Sequence, residues 1–209
     1  MDQFRSYVTR VLPDQFLFYE SKSLEKRLEF QSLIRAIGVN LKGMRFLDIG
    51  PGYGDALDVC FENGASGVEF VETDPFFFTY NRLKGFTKGH EINHKTRLGT
   101  LHRSQYDFIW VKGSISPDNF IFRLNPDAVN KILLSHWLSQ VEHLAKPHCQ
   151  IIICPYWLHH AHKRRTEDLQ RSFFTETMLE RGYDVLPGIE NHNREPDYPV
   201  TFHKVIGVT

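Results

Sequence analysis

The sequence predicts a three-layer α/β/α sandwich built on a mostly parallel, seven-stranded sheet with one antiparallel strand near the C-terminus. Extended and helical segments alternate along the chain, and such alternation implies parallel strands joined by right-handed crossovers. The length of 209 residues, without a linker or a low-complexity tract, fits one domain. Residues 1–209 are therefore predicted to form a single domain.

The first half of the chain contains three predicted helices and two predicted strands. Residues 22–37 repeat apolar side chains along one helical face. Asp74-Pro75 provides an N-cap followed by a proline for the first helical turn. The apolar positions of the first helix are Phe30, Leu33, Ile34 and Ile37. The predicted elements are a helix at 22–37, a strand within MRFLDIG (44–50), a helix at 55–63, a strand at 68–72 and a helix at 75–83.

The second half continues the alternation and ends in two strands. The polar link between these strands lacks helical periodicity, which favours an antiparallel pair. The helix after Asn125-Pro126 has a predicted apolar face of Val129, Ile132, Leu133, His136, Trp137, Val141 and Leu144. The predicted elements are a weak strand near 91–98, a strand at 106–111, that helix, a strand at 150–157, a helix near 168–181 and strands within 183–189 and 200–208.

The composition excludes several classes of protein. Apolar residues make up 41% of the chain, as in globular proteins. Lys plus Arg and Asp plus Glu number 25 each, so no global positive field attracts nucleic acid. The three cysteines are too few and too scattered for a disulfide scaffold or a zinc ribbon. Because no signal core and no apolar run of roughly 18 residues is present, we expect a cytoplasmic protein outside the membrane.

A glycine-rich turn between the first strand and the next helix is the most informative stretch. It reads Asp48-Ile49-Gly50-Pro51-Gly52-Tyr53-Gly54, and glycines there let backbone N–H groups approach a ligand. The second strand ends at Glu72, and in an alternating α/β sheet this strand end lies beside the turn. A carboxylate there can accept hydrogen bonds from both hydroxyls of a ribose. The two features predict a nucleoside site, and a tight turn without a ligand is the alternative.

The glycine spacing separates two ligand classes. Dinucleotide sites have GxGxxG, whereas this turn has GxGxG with Asp55 opening the following helix. Asp55 would repel a pyrophosphate at that helix N-terminus, but it would not repel a ligand without phosphate. A nicotinamide (NAD)-dependent oxidoreductase is the alternative enzyme class.

LDIGPGYG followed by VETDP resembles the class I S-adenosylmethionine (SAM)-dependent methyltransferases. Their first motif is an acidic residue before GxGxG, and their second is an acid that closes the second strand. The likeness extends over nearly the whole chain, including the YDFIWV and QIIICPYW strands and the C-terminal pair. It implies the Rossmann-like methyltransferase fold, an N-terminal helical cover at 1–40, a catalytic core at 41–209, SAM as cofactor and S-adenosylhomocysteine as product. A non-catalytic SAM-binding module is a further alternative.

The resemblance also implies roles for individual residues. The turn would pack against the methionine part of SAM, Asp48 would reach its amino group through water, Glu72 would hold the ribose, and Thr73 would lie against the adenine. Where the family often has Gly-Asp after the third strand, this chain has Gly99-Thr100, so Thr100 would supply the adenine contact. The residues expected to bind the cofactor are Asp48, Gly50, Pro51, Gly52, Tyr53, Gly54, Glu72, Thr73, Thr100, Lys112, Gly113 and Ser114.

The methyl acceptor is expected at the carboxyl ends of the fourth and fifth strands. The loop after the fifth strand carries His159, His160 and His162, and histidine is the natural base near neutral pH. At least one of the three is predicted to act as a base or to orient the acceptor, and a solvated polar loop is the alternative. No acidic ligand pair accompanies them, so no metal site is expected. The residues expected to bind the substrate are Tyr19, Tyr156, Lys163 and Arg164.

The sequence argues against a nucleic acid as the acceptor. VKGS (111–114) stands where amino-methylating DNA enzymes carry an acidic-Pro-Pro-aromatic motif, and the net charge is zero. The predicted acceptor is therefore a small molecule or a saccharide that carries an oxygen or a nitrogen. The oligomeric state is left open, with a homodimer as one option.

Overall fold

A computed structural model of the chain describes residues 13–91, 98, 101, 105–112, 128–154, 165–186 and 201–207. For 13–22, 128–130 and 165–172 it describes the backbone alone. The chain divides into two compact units, 1–95 and 96–209, and each has its own strands and helices.

The first unit contains three parallel strands in the order β3-β2-β1. In the register of the strands, Ile49 lies opposite Val71, and Glu72 lies opposite Glu91. The ends of all three strands therefore meet at one sheet edge, where a ligand site is expected. The elements are α1 (Pro13–Ala36), β1 (Arg45–Ile49), α2 (Asp55–Glu62), β2 (Gly67–Glu72), α3 (Pro75–Leu83) and β3 (Gly89–Glu91).

The second unit contains four strands in the order β4-β5-β7-β6. β4 and β5 are parallel, whereas β7 is antiparallel to both β5 and β6. The elements are β4 (Tyr106–Lys112), α4 (Ala128–Leu144), β5 (Ala145–Cys154), α5 (Arg165–Glu180), β6 (Asp184–Leu186) and β7 (Thr201–Val205). The predicted fold class is confirmed, since the strands form a seven-stranded, mostly parallel sheet with antiparallel pairing at the C-terminal end.

Local sequence signals explain how α3 begins and which face of α1 is buried. The Asp74 side chain accepts a hydrogen bond from Phe76 N at 2.8 Å, and Pro75 occupies the first turn of α3, as the sequence predicts. The predicted apolar face of α1 is also present, because Phe30, Leu33 and Ile34 are buried. Burial of these side chains holds α1 in place, since an isolated helix gains little from propensity alone.

Two predicted boundaries are wrong. α1 begins at Pro13, not at residue 22, because proline is favourable in a first helical turn where its missing N–H costs nothing. β3 lies at 89–91, and the weak strand predicted near 91–98 falls mostly on residues that the structure does not describe. β5 begins at Ala145, directly after α4, and not at residue 150, so Pro147 lies inside the strand segment and does not merely follow the helix.

The predicted apolar face of α4 is partly wrong. Ile132 and Leu133 are exposed, at 66% and 37%, whereas Leu134 and Leu138 are fully buried. Val141 and Leu144 are buried as predicted. The ILL run at 132–134 offers two overlapping helical stripes, and packing selects the stripe that contains Leu134 and Leu138.

The thiols are buried in both units. Cys60, Cys149 and Cys154 are free and buried. Burial is the main cause that raises the pKa of the Cys149 thiol to about 12, and the Asp107 charge adds to it. Among the described helices, none combines the length and the apolar character that crossing a bilayer requires.

The buried stripe of α4 can be tested by paired substitutions. We expect Leu138→Ala to lower the free energy of unfolding by about 2–5 kcal/mol, because it leaves a cavity in the core. Ile132→Ala, on the exposed stripe, should change it by less than about 0.5 kcal/mol. Urea unfolding followed by circular dichroism measures both. Equal losses in the two variants would contradict the observed orientation of the helix.

Candidate functional site

The glycine-rich turn requires glycine for its backbone geometry. Gly50, Gly52 and Gly54 have φ values of +79°, +56° and +77°, in the left-handed region that other residues rarely adopt. Gly50 N donates to Val71 O at 2.8 Å, which fixes the start of the turn to β2. Gly54 N donates to Pro51 O at 2.9 Å, and Gly54 is the N-cap of α2. The turn is therefore a compact link from β1 to α2, as the sequence predicts.

Glu72 connects the end of β2 to this turn. Its side chain is buried, and its Oε2 accepts a hydrogen bond from Gly52 N at 3.3 Å. Its Oε1 accepts from Thr73 N at 2.7 Å and from Asp74 N at 2.9 Å. A carboxylate has about four acceptor positions, and these three backbone donors leave acceptor capacity on Oε2. The predicted approach of Glu72 to the turn is thus present in the geometry.

The ionisation of Glu72 reflects two opposing effects. Burial is the largest effect and raises its pKa, because the charged form loses hydration. The N–H donors of Asp74, Thr73 and Gly52 favour the charged form and oppose this rise. A carboxyl with a raised pKa at a strand end is typical of functional sites.

Asn81 is a component of the site that sequence analysis missed. It is fully buried on α3, and its Nδ2 donates to Gly52 O at 2.7 Å and to Phe77 O at 2.9 Å. Gly52 is therefore held on one side by Glu72 and on the other by Asn81. A single asparagine between Tyr80 and Arg82 carries no sequence signal for this role, since such residues are mostly solvated.

Tyr53 anchors the turn to α3 through its ring. The ring packs edge-on against Phe77 at 4.8 Å and Tyr80 at 5.2 Å between centroids, a favourable geometry for aromatic pairs. Its backbone oxygen accepts from Lys84 Nζ at 2.9 Å. Tyr53 thus supports the turn from α3.

Acidic side chains surround the N-terminus of α2. Asp55 and Asp58 lie in its first turn. Ser23 Oγ donates to Asp55 Oδ1, and Lys84 Nζ donates to Asp58 Oδ2 at 2.7 Å. Burial raises the pKa of Asp58, and the charge of Lys84 opposes this rise. These acids occupy the helix end that a pyrophosphate would need.

Asp48 and Thr73 occupy different environments beside the turn. Asp48 is only 1% exposed, at the end of the buried β1 strand. Burial, with the Asp48 charge as a second cause, raises the pKa of the Cys60 thiol well above its usual value. Thr73 is exposed directly after β2. The first unit therefore brings Asp48, the turn, Glu72 and Thr73 to the same strand ends.

The remaining predicted residues lie in the second unit, in a part of α1 that is described by its backbone alone, or outside the described residues. Lys112 closes β4 in the second unit and is partly exposed. Tyr19 lies within α1, for which only the backbone is described there. The predictions that lie outside the described residues concern Thr100, Gly113, Ser114, Tyr156, His159, His160, His162, Lys163 and Arg164.

Solved structures of class I SAM-dependent methyltransferases have the same fold. The magnesium protoporphyrin IX methyltransferase ChlM from Synechocystis, with bound SAM, is 15% identical, with 88% of this chain and 81% of that chain covered and a TM-score of 0.54. A putative SAM-dependent methyltransferase from Methanococcus maripaludis is 12% identical, with 97% of this chain and 90% of that chain covered and a TM-score of 0.56. One from Aquifex aeolicus is 17% identical, with 89% and 97% covered and a TM-score of 0.56. No family model and no curated protein matches the sequence.

The geometry of Gly54 can be tested against a second left-handed glycine. A Cβ on Gly54 would lie 2.1 Å from Asn81 Oδ1, whereas a Cβ on Gly38 would meet nothing within 4 Å. We expect Gly38→Ala to cost about 1 kcal/mol for the positive φ alone. Gly54→Ala should cost at least about 2 kcal/mol more, since the buried amide must move.

Urea unfolding of the two glycine variants measures this difference. The φ values of Gly38 and Gly54 are +71° and +77°, so the comparison removes the cost of the backbone conformation and leaves the contacts of the new Cβ, which are the overlap with Asn81 Oδ1 and a milder contact with Leu57 Cδ1 at 3.2 Å. Equal destabilisation of both variants would mean that Asn81 does not restrict the space beside Gly54.

Proposed function

We propose that this chain is a SAM-dependent methyltransferase that transfers a methyl group to an oxygen or a nitrogen of a small molecule or a saccharide. The observation that carries the proposal is the hydrogen bond between Gly52 N and the buried Glu72 carboxylate at 3.3 Å. It joins a left-handed glycine turn to an acid at the neighbouring strand end, within a fold that SAM-binding proteins such as ChlM share.

The side chains of this site suit a nucleoside without a pyrophosphate. Ribose hydroxyls are hydrogen-bond donors, and Glu72 Oε2 retains acceptor capacity beyond its bond to Gly52. Asp55 and Asp58 place negative charge at the start of α2, which disfavours the phosphates of NAD. Both features favour SAM over a dinucleotide.

The turn and Glu72 would bind different parts of SAM. Gly50, Gly52 and Gly54 keep side chains out of the space beside the methionine part, and Glu72 would hold the ribose. When bound, SAM supplies an electrophilic methyl group on a sulfonium, which the acceptor displaces in line. The contribution of the chain is to hold the acceptor aligned with that methyl group, a role that can lower the barrier by several kcal/mol.

We extend the proposal to the rest of the chain as one domain, with 1–40 as a cover and 41–209 as the catalytic core. The contact between α1 and α2 supports this, because Ser23 donates to Asp55, and Arg27 pairs with Glu62 and lies 3.9 Å from Asp58. The cover helix is thereby tied to the helix that leaves the glycine turn. The free, buried thiols support a reducing compartment such as the cytoplasm.

The acceptor class rests on charge and on the residues that follow β4. The chain has no net charge, and VKGS at 111–114 lacks the motif of amino-methylating DNA enzymes. We place the acceptor near the loops that follow β4 and β5, with Tyr19, Tyr156, Lys163 and Arg164 as binding residues. A panel of hydroxylated, aminated and saccharide compounds, incubated with SAM and assayed for S-adenosylhomocysteine, would identify it.

Removal of the Glu72 carboxylate tests the cofactor assignment. We expect wild-type protein to bind SAM and S-adenosylhomocysteine in calorimetry, and NAD not to bind. Glu72→Ala should weaken binding of both SAM compounds by roughly fivefold to 150-fold, since a ribose without its acceptor loses about 1–3 kcal/mol. Glu180→Ala, which removes an exposed partner of Lys131, is the control and should leave binding unchanged. NAD binding without SAM binding would favour the oxidoreductase.

The pH dependence of binding gives an independent test of Glu72. Its ionised form accepts from the ribose, so affinity should be constant well above its pKa and should fall as the pH falls through it. Because burial raises that pKa, the loss should begin above the usual carboxyl range. Glu72→Gln has no titrating group there, and its affinity should not change over the same window.

A catalytic base among the histidines is tested once an acceptor is known. We expect at least one of His159→Ala, His160→Ala and His162→Ala to lower kcat at saturating SAM by about 10²–10⁴-fold, the usual contribution of a general base. His136→Ala, on the exposed side of α4, is the control and should keep the wild-type rate. If all three variants stay within about threefold of wild type, alignment alone accounts for the transfer.

A further inference from the structure

Asn81 lies in a position that a helix residue with a purely structural role would rarely occupy. Its side chain is fully buried on α3, and among the described residues its Oδ1 has no hydrogen-bond partner. A buried amide oxygen without a partner costs free energy. An apolar residue would avoid that cost, so the amide is expected to have a compensating role.

The bonds of the amide group indicate that role. Nδ2 faces Gly52 O at 2.7 Å and Phe77 O at 2.9 Å, and both partners are acceptors, so the donor side of the amide must point to them. The Oδ1 side faces Gly54, where it occupies the space that a Cβ would fill. One side chain therefore restrains two of the three glycines of the turn.

Asn81 and Glu72 hold Gly52 on opposite sides of the residue. Gly52 N donates to Glu72, whereas Gly52 O accepts from Asn81. A ribose that binds Glu72 Oε2 would share that oxygen with Gly52 N, whose bond is the longer of the two at 3.3 Å. The second bond lies on the α3 side and does not use Glu72. The Asn81 bond can therefore hold the turn while Glu72 also accepts from a ribose.

We infer that Asn81 is a positioning residue, which holds the glycine turn in its binding shape before SAM arrives and while Glu72 engages the ribose. The inference rests on the proposed binding of SAM. A turn that is already shaped binds with a smaller loss of conformational entropy, so the effect of Asn81 appears in the affinity for SAM and S-adenosylhomocysteine.

Calorimetry with S-adenosylhomocysteine on three variants tests this role. Asn81→Ala should weaken binding about tenfold, the effect of one neutral hydrogen bond on the positioning of a ligand. Asn63→Ala is the matched control, because Asn63 Nδ2 also donates to a backbone oxygen, Val59 O, at 2.7 Å, but at the far end of α2. It should bind as tightly as the wild type.

Asn81→Asp adds a readout that loss of stability would not produce. A carboxylate there opposes Gly52 O, whereas a protonated carboxyl can donate to it. The affinity of this variant relative to wild type should therefore rise as the pH falls through the pKa of the introduced carboxyl, which burial raises, at a temperature where all variants are folded. Dividing the affinity of the variant by that of the wild type at each pH removes the pH dependence that Glu72 gives to both proteins.

A double-mutant cycle provides a test that needs no ligand. Gly54→Ala raises the unfolding equilibrium constant by a certain factor in the wild type. In the Asn81→Ala background that factor should be at least about tenfold smaller, because the overlap at Oδ1 is gone. Additive effects in this cycle would overturn the inference. The inference would also be overturned if wild-type protein bound both SAM compounds and Asn81→Ala bound S-adenosylhomocysteine as tightly as the wild type does. If wild-type protein binds neither SAM compound, the proposed function fails, and this role fails with it.

Discussion

The hydrogen bonds on the two sides of Gly52 fix the geometry on which the rest of the site depends. Glu72 accepts from Gly52 N, and Asn81 donates to Gly52 O. These side chains come from the end of β2 and from α3, so the turn cannot move without disturbing both elements. Gly54 then starts α2 from a left-handed conformation. The register of β1 on β2, set by their apolar residues, determines whether these groups meet at all.

Negative charge around the turn would favour a ligand that carries positive charge. Glu72 is buried with backbone donors, and Asp55 and Asp58 stand at the start of α2. The cations nearby, Lys84 and Arg27, are paired with Asp58 and Glu62. A ligand that brings its own positive charge and hydroxyl donors suits this environment better than one that brings phosphates. The sulfonium and the ammonium group of SAM have that character.

Patterns that depend on local chemistry could be predicted from the sequence. The GxGxG turn and the Asp74-Pro75 cap follow from residue types whose backbone preferences are strong. The antiparallel C-terminal strand follows from the lack of helical periodicity in the link before it. The seven-stranded sheet follows from the alternation of such elements. Glu72 could be placed beside the turn because chain topology alone brings the two strand ends together.

Features that depend on tertiary packing could not be predicted. The ILL run in α4 permits two stripes, and only the partners in the core select Leu134 and Leu138. Asn81 lies one turn after Phe77 on a helix of mixed composition, and nothing in the local sequence indicates that its amide reaches back to Gly52. The start of α1 was missed because Pro13 is compatible with a loop as well as with a first helical turn.

The buried cysteines have a practical consequence for studies of motion. Alkylating reagents attack thiolates, and a buried thiol with a raised pKa forms little thiolate at neutral pH. The native Cys60 and Cys149 should therefore react slowly with such reagents, and burial also restricts their access to Cys154. A cysteine introduced at an exposed position, such as Leu24 on α1 or Phe61 on α2, would be the preferred target of a maleimide dye or a spin label. Distances between such labels would report whether the cover helix moves when a ligand enters.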